Sequence, residues 1–254
     1  MSPTYDVKDK VIAITGGASG IGLATAQLLA SQGAKVSIAD VQAKGLQDVA
    51  SQIQSAGGTV HSTIVDVREP SQVESWISET VSRFGKLDGA ANLAGVIPKC
   101  INIERVEELN EEDWKFTVDV NLTGVMHCLR AQIPNASRGA SIVNAASVAG
   151  LGGFPKNAAY TAAKWGVIGL TKTAAKESFL LNRRGTIDTP MHRESTRIRG
   201  KEPDYKIPIA RKGKAEEVAN LIAFLLCDAS SYMTGTVQVI DGATQRELRR
   251  DQCK

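Results

Sequence analysis

Cysteine is scarce in this chain and scattered. Cys100, Cys128, Cys227 and Cys253 stand far apart, and no two make a C-x-x-C pair. A disulfide framework or a thiolate metal site needs paired thiols, so the expectation is isolated, reduced cysteines of the cytoplasmic kind. Histidine is as sparse. His61, His127 and His192 form no H-x-x-x-H pair, and no metal is expected. Long apolar runs are absent too. The longest, LIAFLL at 221–226, falls well short of the ~18 residues of a membrane helix and suits a buried helix face. The opening MSPTYDVKDK has no apolar stretch of the secretory type. Strong charge is missing: a net +3 gives no argument for a nucleic-acid partner. What excess there is gathers at 178–214, where ten Lys/Arg face four Asp/Glu. That stretch is either a solvated loop or a lure for an anionic substrate. No Pro/Gly/Ser linker divides the 254 residues, a length ordinary for one α/β domain.

What is present is alternation. Short β-branched runs at 10–15 (KVIAIT), 35–39, 59–65, 87–92, 141–146 and 236–240 are separated by helical spacing at 21–31, to about 55, 71–84, 112–132, 158–177 and 216–227. The strands are almost continuously apolar, as strands covered on both sides should be. The pattern predicts a single doubly wound, Rossmann-type α/β domain with a parallel sheet and helices on both faces. Ligands of such folds lie beyond the carboxyl ends of the strands.

The first strand ends in TGGASGIG, Thr15 to Gly22. Gly16, Gly20 and Gly22 allow a tight turn and a close approach to phosphate. Ser19, Gly20, Ile21 and Gly22 open a helix whose free N–H groups favour an anion. Asp40 ends the second strand eighteen residues later. A carboxylate there accepts from the adenosine ribose hydroxyls and repels a 2′-phosphate. The glycine loop and the four residues after Ala39 lack Lys and Arg, so NAD(H) is favoured over NADP(H). The other reading of Asp40 is a turn cap. Asp66 and Val67, after the third strand, are placed to meet the adenine. Asn92, Ala94 and Gly95, after the fourth, let the backbone pass close to a ligand.

YTAAK puts Tyr160 and Lys164 at i and i+4 on one helix face. A free tyrosine, with a pKa near ~10, is a poor base at neutral pH. A neighbouring ammonium favours the phenolate, so Tyr160 is expected to exchange a proton with an alcohol or ketone. Ser147 follows the fifth strand, thirteen residues before Tyr160, and Asn121 sits in the preceding long helix.

With TGGASGIG, NLAG, Asn121, Ser147, YTAAK and IDTPM in this order, nearly the whole chain resembles the short-chain dehydrogenase/reductase family. The resemblance implies that Tyr160 is the general acid/base, and that Lys164 lowers its pKa and binds the nicotinamide ribose. It implies that Ser147 bonds the substrate oxygen and that Asn121 holds a water in a proton relay. It also implies that Ile187 and Thr189 contact the nicotinamide carboxamide. The implied halves are a cofactor half at about 8–135 and a catalytic and substrate half at about 136–254, with a lid at about 189–212. The implied partner is a further copy, as a tetramer or dimer that packs the helices carrying Asn121 and Tyr160.

Three departures stand out. Leu93 takes the place of a second Asn, and Asp241-Gly242-Ala243 lacks a second glycine. Between Lys164 and Gly185 lie about six residues fewer than the family pattern, ~20 Å of extended chain. FLLN at 179–182 is the sole strand candidate there. Two functions follow from this: an active NAD(H)-dependent oxidoreductase of secondary alcohols and ketones, or a cofactor-binding protein with little turnover.

Overall fold

The computed structural model describes residues 3–178, 194, 197–198 and 211–242. Its centre is a parallel sheet of β1 (Val11–Thr15), β2 (Lys35–Asp40), β3 (Thr59–Ile64), β4 (Gly89–Asn92) and β5 (Ser141–Asn144), in the order β3-β2-β1-β4-β5. The helices are α1 (Gly20–Ser31), α2 (Ala43–Ser55), α3 (Pro70–Phe84), α4 (Glu111–Val118), α5 (Gly124–Asn135), α6 (Ala158–Ser178) and α7 (Ala215–Leu226).

The continuous apolarity of β1 has a direct cause: every one of its residues is buried. Successive side chains point to opposite faces. Ile12 and Ile14 enter one core with Leu29 of α1, Ile53 of α2 and Ile222 and Leu225 of α7. Ala13 enters the other with Trp76 and Ile77 of α3, Leu129 of α5 and Val167 of α6. Each large aliphatic side chain so buried contributes on the order of 1.5–3 kcal/mol. The buried Trp76 indole N–H donates to Ser37 Oγ at 2.9 Å, and Ser37 bonds Thr80 Oγ1 at 2.7 Å. The polar handle of the largest core side chain is thereby satisfied.

After β1 the chain lays β2 and β3 on one side, then crosses to place β4 and β5 on the other. The strand order reverses between β1 and β4. Parallel α/β sheets open a crevice at that point, beyond the strand ends. The glycine loop leaves β1 there, and Leu93–Gly95 leaves β4 beside it.

Two expectations change. The long helix at 112–132 is not continuous: α4 passes through a π-helical turn, Asp119–Thr123, into α5. The Gly124 N–H reaches back five residues to the Asp119 carbonyl. Periodicity alone does not show this, because one extra residue per turn leaves the apolar spacing nearly intact. The expected strand at 236–240 is also not part of the described sheet, which ends at β5. A strand exists only through pairing, and among the described residues no strand lies beyond β5 to receive it. The FLLN segment falls outside the described residues.

Candidate active site

The dinucleotide end is built by the turn from β1 into α1. Gly16 has φ +72°, and a Cβ there would stand 2.9 Å from the Ala94 backbone nitrogen. A Cβ on Gly22 would lie 2.0 Å from the Gly16 carbonyl oxygen. Both positions therefore demand glycine. Ser19 is the N-cap of α1 but makes no side-chain cap bond, and the first turn carries no acidic residue. The N–H groups of a helix's first turn have no acceptor within the helix, so those of Gly20, Ile21 and Gly22 suit an anion. This geometry fits the pyrophosphate of a dinucleotide.

Asp40 ends β2 beside that loop. Its Oδ2 accepts from the Ala18 N–H at 3.1 Å and its Oδ1 from the Gln42 N–H at 3.0 Å. It caps a turn and ties down the glycine loop at once. Each oxygen keeps a second acceptor position, since a carboxylate offers about four. Val41 and Ile64, at the ends of β2 and β3, are exposed apolar residues nearby in the sheet order. Asp66 differs: its carboxylate is engaged by Arg68. That ion pair holds the Asp66 carboxyl below the usual range, the hydrogen bonds from Arg68 outweighing burial. The Val67 carbonyl meets His127 Nδ1 at 2.9 Å.

At the crevice, Thr15 Oγ1 accepts from the N–H groups of Leu93 (3.0 Å) and Ala94 (3.2 Å). The loops after β1 and β4 are thus bonded together. The side chain of Asn92 turns inward instead. It exchanges bonds of 3.0 and 2.8 Å with Gln132 and donates to Asn144 Oδ1 at 2.9 Å. Asn144 donates on to Thr171 Oγ1 at 3.1 Å. This fully buried chain joins α5, β4, β5 and α6, the helix of Tyr160 and Lys164. Asn92 is therefore a core tie, and only the backbone of Ala94 and Gly95 remains for a ligand. Leu93 packs against the core on the α1 side.

The residues expected to be catalytic lie beyond β5. Ser147 caps the short 3₁₀ turn Val148–Gly150, its Oγ accepting from the Ala149 N–H at 3.2 Å. Burial pushes the Tyr160 phenol above its ordinary value, and the Ser147 side chain draws it partly back. Lys164 is 3% exposed. Its ammonium donates to the Ala145 carbonyl at 3.0 Å and stands 5.4 Å from the centroid of the Tyr160 ring. The expected lowering of the Tyr160 pKa is not found in the chain by itself, where burial dominates.

Asn121 lies in the π turn and is fully buried. Its Nδ2 donates to the carbonyls of Val96 and Thr117, both at 2.9 Å, and its Oδ1 accepts from the Val96 N–H at 3.3 Å. Both side-chain N–H groups are spent within the protein. The side chain clamps the loop after β4 to the helix. A π turn of this kind recurs at functional sites.

Gly16, Ser19, Gly20, Ile21, Gly22, Asp40, Asp66, Ala94 and Gly95 come together along the strand ends, with Ser147, Tyr160 and Lys164 beyond β5. Ile187, Thr189 and most of the 189–212 segment lie outside the described residues. Arg68, Val96, Gln132 and Thr171 were not legible as site residues. Of these, Arg68 alone carried a signal, two positions after Asp66. Among the described residues no group of three His, Cys, Asp or Glu is arranged to hold a metal, and no helix is long and apolar enough to cross a membrane.

Comparison with known proteins agrees with this geometry. A family model described as enoyl-(acyl carrier protein) reductase matches residues 16–244. The chain is 47% identical over 247 residues to the short-chain dehydrogenase/reductase aba4 of Botryotinia fuckeliana, covering 92% of this chain and 96% of that protein. The crystal structure of levodione reductase superposes with TM-score 0.88 at 35% identity, covering 94% of this chain and 98% of the other. The structure of NAD+-bound xylitol dehydrogenase gives TM-score 0.86 at 29% identity, covering 94% and 100%.

Proposed function

Because the chain belongs to the short-chain dehydrogenase/reductase family, we propose that it is an NAD(H)-preferring oxidoreductase that interconverts a secondary alcohol and its ketone, with Tyr160 as general acid/base. The observation that carries this reading is the buried Lys164 ammonium 5.4 Å from the centroid of the Tyr160 ring. When bound, the nicotinamide supplies or takes up a hydride. The chain's own residues handle the proton and the geometry. In reduction, the Tyr160 hydroxyl gives its proton to the developing alkoxide while Ser147 holds the substrate oxygen. In oxidation, the Tyr160 oxygen takes the alcohol proton. Lys164, buried and charged, favours the phenolate in that direction and offers its ammonium to the nicotinamide ribose. Asn121 keeps the Val96 loop in place against the helix. Ile187 and Thr189 are assigned to the carboxamide.

Preference for NAD(H) rests on Asp40, which retains acceptor capacity for ribose hydroxyls and would repel a 2′-phosphate. A solved relative is named as NAD+-bound. Two relatives are named for levodione reduction and xylitol dehydrogenation, which supports a carbonyl or hydroxyl substrate of low molecular weight here. The chain is read as one domain, with the cofactor half at about 8–135 and the catalytic half following. Trp165 on the catalytic helix and Trp114 on α4 are large apolar residues exposed at 49% and 39%, which supports a homo-oligomer packed through these helices. The free, buried thiols of Cys100, Cys128 and Cys227 suit the cytoplasm.

A second reading is kept for one observation. The segment 236–240 is not joined to the described sheet, so a cofactor-binding protein with little turnover is the alternative. NADH titration by fluorescence, followed by assay of cyclic and aliphatic ketones, separates the two. Binding with turnover supports the first, and binding without any turnover supports the second.

A further inference from the structure

We propose that Thr171 is a positioning residue for the reaction: its bond to Asn144 sets how far α6 stands along β5, and with it where Tyr160 stands against Ser147. The inference rests on the proton-transfer reading given above. Thr171 follows Tyr160 by eleven positions on the same unbroken helix. At about 100° per residue that is about three turns, which brings Thr171 within about 20° of Tyr160 around the axis. Tyr160, Lys164 and Thr171 therefore share one face of α6. That face is bonded to two adjacent residues at the end of β5. Asn144 Nδ2 donates to Thr171 Oγ1 at 3.1 Å, and the Lys164 ammonium donates to the Ala145 carbonyl at 3.0 Å. Both β5-side residues are fastened in turn to Asn92 of β4. Asn144 Oδ1 accepts from Asn92 Nδ2 at 2.9 Å, and the Ala145 N–H donates to the Asn92 carbonyl at 2.9 Å. Asn92 and Asn144 are register partners in the sheet. The helix is thus tied to the centre of the sheet at two heights.

The other contacts of α6 control its distance more than its height. Val167 and Ala174 pack in an apolar core, and apolar contact is non-directional. Gly150 and Gly166 allow close approach: a Cβ on Gly150 would stand 2.8 Å from the Lys164 carbonyl, and one on Gly166 would stand 2.7 Å from Leu122 Cδ2. Hydrogen bonds, by contrast, hold a narrow range of length and angle. Asn144 and Thr171 are both fully buried. The Thr171 hydroxyl spends its one hydrogen on the Val167 carbonyl at 2.6 Å, so toward Asn144 it can only accept. Without that hydroxyl a buried amide N–H loses its acceptor, which is costly, and the helix has to shift to satisfy it. A shift of ~1 Å along the axis carries Tyr160 with it, and reacting groups misplaced that far lose about 10²-fold.

The test measures kcat with NADH and the cyclic or aliphatic ketone that wild type reduces fastest. Thr171→Val and Thr171→Ser are assayed alone, and Thr171→Val also in the Tyr160→Phe background. The NADH dissociation constant is read by fluorescence on the same preparations. Thr171→Val keeps the shape of the side chain and loses the hydroxyl. It is expected to lower kcat by about 10–10²-fold while NADH affinity stays within about threefold. Thr171→Ser restores the acceptor and is expected to stay within about threefold of wild type. In the Tyr160→Phe background the same Thr171→Val change is expected to cost less than about threefold, because the group it positions is gone. A Thr171→Val protein of lower thermal stability but wild-type kcat makes the bond purely structural and overturns the proposal. So does a loss of kcat that is equal in the two backgrounds. Where Thr171→Val does not fold, Thr171→Ala enters the same comparisons with the same expected results. If wild type binds no NADH, or binds it and reduces no ketone, the oxidoreductase reading falls and the proposal falls with it.

Discussion

The Lys164 ammonium stands 5.4 Å from the centroid of the Tyr160 ring while it donates to the Ala145 carbonyl at 3.0 Å. The charge is close to the phenol ring, yet burial sets the direction of the Tyr160 pKa, which is raised. A raised pKa keeps the hydroxyl protonated through neutral pH. Protonated Tyr160 is the form that reduction needs, and the phenolate is the form that oxidation needs. With the uncharged reduced nicotinamide bound, kcat/KM for ketone reduction is therefore expected to stay flat through neutral pH. It should fall only as pH passes the tyrosine range near ~10. Oxidation should climb with pH over the same range. Profiles in both directions check this, and a reduction rate that fell steeply between about pH 6 and 8 would contradict it.

Asp40 ties down the glycine loop and, on the proposed reading, selects NAD(H), so its removal should show in two places. Asp40→Ala deletes the acceptor for Ala18 and Gln42 and the repulsion of a 2′-phosphate. NADH binding is expected to weaken by about tenfold or more, the loss of a charged acceptor. NADPH should be affected less, so the ratio of the two dissociation constants moves toward one. An unchanged ratio would remove Asp40 from the cofactor assignment.

Gly22 leaves no room for a side chain, with a Cβ placed 2.0 Å from the Gly16 carbonyl. Gly22→Ala has to push the glycine loop away from the start of α1. NADH affinity is expected to fall by more than tenfold, because misplacement of ~1 Å is felt strongly in such sites. Circular dichroism should still show the helices and sheet. Full affinity in the folded variant would mean that the loop does not cradle the cofactor.

Asn121 shapes the site through Val96. Asn121→Ala strands the Val96 N–H and carbonyl, both bonded by the amide in the native protein. Leaving buried polar groups unpaired costs about 1–3 kcal/mol each. For a chain of this size the two groups together correspond to a melting temperature lower by roughly 4–24 °C. Turnover should drop as well, with kcat affected more than the NADH dissociation constant. A variant that lost stability but kept kcat would make Asn121 a purely structural residue.

Most of the sheet could be read from the chain because β1, β2, β4 and β5 are buried on both faces, while the edge strand β3 is half-exposed and was marked by its β-branched residues. The glycine loop was legible for a similar reason: Gly16 and Gly22 sit where no other residue fits. Tyr160, Lys164 and Ser147 were visible through spacing along one helix and one strand end. What escaped was decided by contacts between distant segments. Asn92 looked like a ligand-side residue, yet Gln132 and Asn144, 40 and 52 positions away, take its side chain into the core. The π turn at Asn121 is a one-residue change of hydrogen bonding that leaves no mark on hydrophobic period. Arg68 looked like an ordinary surface arginine until the fold brought Phe116 and Asp119 to it. The run 236–240 has the composition of a strand, but strand character depends on a neighbour that composition does not supply.

The central claim is that Tyr160 moves the proton while taking little part in holding the dinucleotide. Tyr160→Phe removes one oxygen and keeps the ring under the Lys164 ammonium. The direct measurement is kcat for a ketone substrate and the NADH dissociation constant on the same preparation of this variant. The expected result is a kcat lower by ~10²–10⁴ with NADH affinity nearly unchanged. Turnover at the wild-type rate would contradict the assignment of Tyr160 as the general acid/base.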